Sequence, residues 1–298
     1  MLNKKNLKDL YPEALVAEVD KNLKLYLNDY DHIPGRLRDA IEYCVLNGGK
    51  RLRPVLCLAT AKSIRCSIEQ VMPTACAIEF IHTYSLIHDD LPAIDNDDLR
   101  RGRPSCHKKF GEDIAILTGD ALFAESFNLI LKYQNSSPGK KLEVLSEIIS
   151  AAGASGMVAG QIVDVSSTGK QITKKNLAYM HLNKTSKLII AAIRTSAIIC
   201  NANSDVLKSL SIYGENIGLV FQIIDDILDI TSSTGTSGKT QGKDIDNSKN
   251  TFPSLWGMDK SRKIAKEKTE KAIDSIKDLD IDKKILTDIA KFILIREA

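Results

Sequence analysis

Apolar residues recur at three- and four-residue spacing along most of the chain, the stripe that one face of an α-helix leaves in sequence. CAIEFIHTYSLIHDD (76–90) and IGLVFQIIDDILDI (217–230) carry it most densely. The pattern predicts helices near 5–28, 35–47, 53–63, 68–91, 112–133, 141–159, 174–182, 185–201, 204–230, 253–275 and 283–297. Strict alternation is scarce, so few or no strands are expected. Gly, Pro, Ser and Asn mark the connections, in NGGK, NSSPGK, SSTGK and the long TSSTGTSGKTQGKD. No stretch reads as an interdomain linker and no internal repeat is visible. Many helices joined by short loops predict one all-α bundle, a single domain over 1–298.

Composition narrows the class without naming the chemistry. Of 298 residues, 43% are hydrophobic and 27% charged, which suits a soluble globular protein with ample material for a core. A net charge of +3 does not argue for nucleic acid. The opening MLNKKNLKDLYPEAL has no apolar run, so neither a secretory signal nor a transit peptide is expected. No uninterrupted apolar stretch reaches the roughly 18 residues of a membrane span. Six cysteines without a CxxC pair, mostly among apolar neighbours, read as reduced buried thiols and point to the cytoplasm.

The chemistry is concentrated in two acidic clusters. HDDLPAIDNDDLRRGRP (88–104) holds five carboxylates followed by three arginines. Asp89 and Asp95 are six apart, which an unbroken helix would not align. Pro92 interrupts helical bonding, and a turn through Leu91–Ile94 would return Asp95 to Asp89. In the second cluster Asp225 and Asp229 are four apart on one helical face, with Asp226 between them and almost wholly apolar flanks. Bare carboxylates in such surroundings repel and are costly to desolvate, so a cation is expected. Oxygen-only donors favour a hard ion, Mg²⁺ or Mn²⁺, and two separated Asp sets sharing metal imply a phosphate between them. A solvated acidic face is the bland alternative.

Basic residues adjoin both clusters. GGKRLRP (48–54) sets Lys50 and Arg53 three apart at a helix start, Arg100, Arg101 and Arg103 follow the first cluster, and Lys184–Thr185 open a later helix. Lys239, Lys243 and Lys249 lie in or after the loop behind the second cluster. Guanidinium groups match phosphate oxygens with paired donors. TGTSGKT is not a Walker loop, because Ser233 stands where its first glycine belongs and a helix precedes it. His82 lies seven residues before Asp89, two turns below it on the same face.

Taken in order, GGKRLRP, YSLIHDDLPAIDNDDLRRGRP, GQIVD, HLNKTSKLI, FQIIDDILD and GKTQGKD make the chain resemble the trans-polyprenyl diphosphate synthase family, and within it the bacterial farnesyl diphosphate synthases. The resemblance implies the isoprenoid synthase bundle around a deep apolar cavity, usually as a homodimer. It implies head-to-tail condensation of dimethylallyl and then geranyl diphosphate with isopentenyl diphosphate, dependent on Mg²⁺, three ions in all. By motif position, Asp89, Asp95 and Asp225 would ligate metal, with Asp90 and Asp229 in support. Arg100, Lys184 and Lys239 would bind the allylic diphosphate, and Lys50, Arg53, His82 and Arg101 the isopentenyl diphosphate. Thr185 and Gln222 would face the developing cation, and Lys184 would act beside them. Gln161, Asp164, Asp244 and Lys249 match positions near the site. Tyr84, five residues before Asp89, would limit the product to C15, farnesyl diphosphate, with a C20 product as the alternative. Leu188 takes no role at the cation. The C-terminal FILIREA lacks the arginine cluster that closes some relatives, so Arg296 is assigned none. A terpene cyclase is disfavoured by DDILD and GGKRLRP, a noncatalytic partner subunit by the intact Asp sets, and a phosphohydrolase by the lack of any water-activating constellation.

Overall fold

The structure is a computed structural model that describes residues 10–30, 32–231 and 250–296. Fourteen α-helices are described: α1 Glu13–Leu27, α2 Gly35–Val45, α3 Leu52–Ser63, α4 Met72–Asp89, α5 Cys106–Phe110, α6 Glu112–Tyr133, α7 Pro138–Ala152, α8 Met157–Ser167, α9 Lys174–His181, α10 Lys187–Ile199, α11 Ser204–Thr231, α12 Phe252–Trp256, α13 Met258–Ile276 and α14 Lys284–Ile295. The only strands among the described residues are β1 Leu99–Arg100 and β2 Arg103–Pro104, an antiparallel pair. The architecture is the all-α bundle that the apolar periodicity predicts.

α3 is buried along almost its whole length, Lys62 excepted. α10 packs on α3, α7 and α11, while α4 runs along α6 and α11 along α13. Val55, Leu58, Phe80, Ile81, Ile193, Ile217 and Ile224 lie in one continuous core reaching from α1 to α14. α6 and the stretch 138–167 are long and apolar enough to cross a membrane by length and composition. α6 instead buries Ala115, Leu122, Leu129 and Ile130, and α4 is its packing partner.

Several boundaries differ from the periodic reading, each at a chain breaker. The helix expected over 141–159 breaks at Gly153–Gly156, where a Cβ on residue 156 would overlap the Ala151 carbonyl. The one expected over 253–275 divides at Gly257, which adopts φ +80°. The segment near 68–91 opens with a 3₁₀ turn, Ile68–Gln70, before α4 begins. Lys50 precedes α3 rather than starting it, because Gly48, Gly49 and Arg51 all have positive φ. All six cysteines are free thiols; Cys57, Cys76 and Cys106 are buried and Cys44, Cys66 and Cys200 partly so. Lys239, Lys243, Asp244 and Lys249 lie outside the described residues.

Candidate active site

Beyond α4 the chain doubles back as its proline predicts. The Asp95 N–H donates to the Asp89 carbonyl at 2.9 Å, Asn96 to Leu91 at 3.0 Å and Asp97 to Asp90 at 3.1 Å. Asp89 and Asp95 are thereby neighbours, both partly exposed, while Asp90 and Asp97 are buried. The Arg100 guanidinium meets Asp90, its Nε lying 3.0 Å from each carboxylate oxygen, and Asp97 follows at 3.6 Å. This arrangement explains why acids and arginines crowd one short stretch. Asp89 and Asp95 stay partly exposed, while Asp90 and Asp97 fix the arginine behind them.

The β1–β2 hairpin delivers Arg101, at φ +55°, back toward the Gly48–Gly49 turn, where it donates to the Gly48 carbonyl. A Cβ on residue 49 would sit 2.5 Å from the Arg101 guanidinium carbon, and the backbone there, at φ +113°, favours glycine. Arg53 is buried, and burial pushes its pKa down to about 10 against the attraction of Glu79 and Asp225. Lys50 is likewise lowered, first by desolvation and then by Arg296, with Asp225 opposing. His82 is held well below its ordinary value by desolvation and by Arg53 and Arg101, so it stands neutral at pH 7. Lys50, Arg53, His82 and Arg101 thus share one electrostatic neighbourhood.

The second cluster divides its labour similarly. Asp225 is exposed and pairs with Arg296 at 2.8 Å. Arg296 also donates to the Phe221 carbonyl at 2.7 Å and lies 4.0 Å above the Phe221 ring. Asp226 is buried and braces the fold, accepting from the Phe252 N–H and from Gln222 Nε2, both at 2.8 Å. The other end of that amide, Gln222 Oε1, accepts from the Thr185 hydroxyl at 2.9 Å. Asp229, one turn past Asp225, is partly buried.

Lys184 and Thr185 occupy a π-helical turn, Leu182–Ser186, that joins α9 to α10 without a break. Gly160 of α8 and Gly218 of α11 abut this turn; a Cβ on residue 218 would be 2.5 Å from that of Ser186. Lys184 Nζ pairs with Asp164 at 2.5 Å. Burial works against its charge, yet Asp89, Asp164 and Asp95 together raise its pKa. Tyr84 packs edge-on against Phe123 at 5.1 Å, and Phe123 against Phe127 at 5.0 Å. Burial, then Asp89, pushes the Tyr84 hydroxyl up to about 12. Leu188 is sealed in the core.

These links close a ring. Asp89 and Asp95 act electrostatically on Lys184, Thr185 bonds Gln222, Asp225 binds Arg296, and the charge of Arg296 is felt at Lys50 as that of Arg53 is at His82 on α4. Gln161 has both amide atoms buried without a hydrogen-bond partner, as are Nε of Arg53 and of Arg296. Buried donors left unmade are costly, and such groups suit an oxygen-bearing partner. Among the described residues no three acidic, His or Cys side chains converge as a ready metal cage. Bare carboxylates repel, and here Asp225 is neutralised by Arg296 while Asp89 and Asp95 lie in the field of Lys184.

A family model described as polyprenyl synthetase matches residues 34–289. The chain belongs to the polyprenyl synthetase family of trans-prenyltransferases. It is 44% identical over 253 residues to a farnesyl diphosphate synthase of Micrococcus luteus, covering 85% of this chain and 87% of that one. It is also 44% identical over 265 residues to a geranylgeranyl diphosphate synthase of Cyanophora paradoxa, covering 88% of each. A geranyltransferase from Helicobacter pylori, solved with magnesium and isoprenyl diphosphate, superimposes with a TM-score of 0.84 at 31% identity, over 98% of this chain and 97% of that one. Sequence reasoning for this polyprenyl synthetase missed Arg51, Asp226 and Arg296. Asp226 had one available signal: it alone of the three acids in DDILD faces the apolar side of α11.

Proposed function

We propose that the protein condenses dimethylallyl and then geranyl diphosphate with isopentenyl diphosphate, giving (2E,6E)-farnesyl diphosphate and diphosphate. The ring that joins both acidic segments to the basic cluster carries this reading. The donor set fits magnesium, since Asp89, Asp95 and Asp225 offer hard oxygen ligands and Gln161 an unpaired buried amide. In that assignment Asp89, Asp95 and Asp225 hold the ions, with Asp229 in support and Asp90 acting by fixing Arg100. Bound magnesium would supply charge neutralisation to the allylic diphosphate.

The protein's own groups do the rest. Lys184 and Arg100, with Lys239, hold the allylic diphosphate, and their attraction grows as negative charge builds on the leaving group, which lowers the barrier. Thr185 and Gln222 turn oxygen lone pairs toward the allylic carbon as it becomes cationic. Lys50, Arg53 and Arg101 hold isopentenyl diphosphate without metal, so it is not prompted to ionise. His82, being neutral, contributes a hydrogen bond rather than a charge. The apolar walls keep water from the cation, the isopentenyl double bond attacks it, and the proton departs to the released diphosphate.

Tyr84, five residues before Asp89 and packed edge-on against Phe123, which packs on Phe127, supports a C15 product as a bulky stop to the growing chain. The equal identity to a geranylgeranyl diphosphate synthase favours C20 as the second reading. Exposed Ile116, Leu117 and Leu131 on α6 support a homodimer. Incubation with labelled isopentenyl diphosphate, each allylic primer and Mg²⁺ should yield a C15 alcohol after dephosphorylation, and Tyr84→Ala should shift it to longer chains. Lack of any elongation would reject prenyl transfer. An unchanged C15 peak from Tyr84→Ala would reject the role of the tyrosine.

A further inference from the structure

One fully buried carboxylate lies beneath the basic cluster. Glu79 is on α4, one turn before His82, and only 1% exposed. It accepts a hydrogen bond from Arg51 Nη1 at 2.8 Å. Arg51 is itself sealed, donates to Asp20 at 2.8 Å and to the Val45 carbonyl at 2.7 Å, and adopts φ +50°. A left-handed backbone is unfavourable for an arginine and persists only where its surroundings fix it. Here the guanidinium is drawn inward by the two carboxylates, which leaves Lys50 exposed on one side of it and starts α3, with Arg53, on the other. The Lys50 carbonyl is held in turn by the Tyr11 hydroxyl at 2.5 Å.

The charge balance points the same way. Arg51, Arg53 and Arg101 gather around this spot, and Glu79 is the foremost attraction each of them feels against the cost of burial. Asp20 helps Arg51 from the rim, with its side chain 44% exposed. An isolated buried guanidinium is expensive, and one buried anion lets three cluster while leaving the group net positive.

We infer that Glu79 is a positioning residue for the isopentenyl diphosphate subsite: it anchors Arg51, and through it the Gly48–Arg53 turn, and balances Arg53 and Arg101 before the diphosphate arrives. The inference rests on the prenyl-transfer reading given above. Glu79→Gln keeps the shape and removes the charge. It should raise KM for isopentenyl diphosphate about tenfold while KM for geranyl diphosphate stays within about twofold, since only binding in one subsite is lost. Asp20→Asn, at the exposed end of the same anchor, should raise it about two- to threefold. A purely structural ion pair would alter both Michaelis constants together or neither, and either result in a folded Glu79→Gln enzyme overturns the inference. Should that variant fail to fold, an unchanged KM in Asp20→Asn overturns it. A wild-type enzyme that elongates nothing would instead strike at the prenyl-transfer reading itself.

Discussion

His181 illustrates how far one buried side chain departs from its solution behaviour. Its ring stacks on Phe252 at 5.3 Å, and its Nε2 lies 3.6 Å from Asp226, whose oxygens already accept from Phe252 and Gln222. Burial, with Lys184 adding to it and Asp164 opposing, pushes its pKa down to about 3. The folded value is thus below that of the unfolded chain, near 6.5. Below that pH the unfolded state binds a proton that the folded state refuses, so stability is retained above about 6.5 and lost as pH falls toward 3. His82 shifts in the same direction. The thermal midpoint should therefore drop between pH 7 and 5, and His181→Asn should flatten that decline. Parallel curves for the two proteins would contradict the assignment. At this scale the sequence was informative about identity and silent about pairing. The Asp sets and cations were legible because motif spacing reports them, whereas Arg296 meets Asp225 across 71 residues. Nothing local in FILIREA signals that contact.

Among the elements, the π-helical turn has the most direct bearing on the site. A π turn packs an extra residue into a helix and recurs at functional positions. Here it carries both Lys184 and Thr185, and α8 is pressed against it at Gly160. A Cβ on residue 160 would lie 2.6 Å from the Lys184 Cα, and backbone cannot step aside as a side-chain tip can. Gly160→Ala should cost about 1–3 kcal/mol of stability and weaken allylic substrate binding. Urea denaturation and the KM for geranyl diphosphate measure the two effects; wild-type values for both would refute the close contact. Helix existence was readable from periodicity almost throughout. The π turn was not, because the periodic reading ends one helix at 182 and starts the next at 185, whereas the chain runs through Leu182–Ser186 without a break. The breaks at Gly153–Gly156 and Gly257 show the complementary failure, in which apolar spacing continues across a glycine that ends the element.

At the scale of the molecule, the site belongs to no single part of the chain. Its members come from the Gly48–Arg53 turn, α4, the hairpin, α8, the π turn, α11 and the residue following α14. The fold class was legible because an apolar stripe is a local property; the closure of the ring was not, because it exists only when distant segments dock. α14 contributes more than Arg296, since Phe292 packs on Tyr11, whose hydroxyl holds the Lys50 carbonyl. A chain ending before Phe292 should keep most of its helical circular dichroism yet lose prenyl transfer; full activity in that shortened chain would show the closing contact to be dispensable. The ring also sets a clock on biosynthesis. A ribosome makes Lys50 long before Arg296, so a nascent chain can bury much of its core well before its acidic and basic partners meet. Catalytic competence should then arrive abruptly, with α14, rather than accumulate as the polypeptide lengthens.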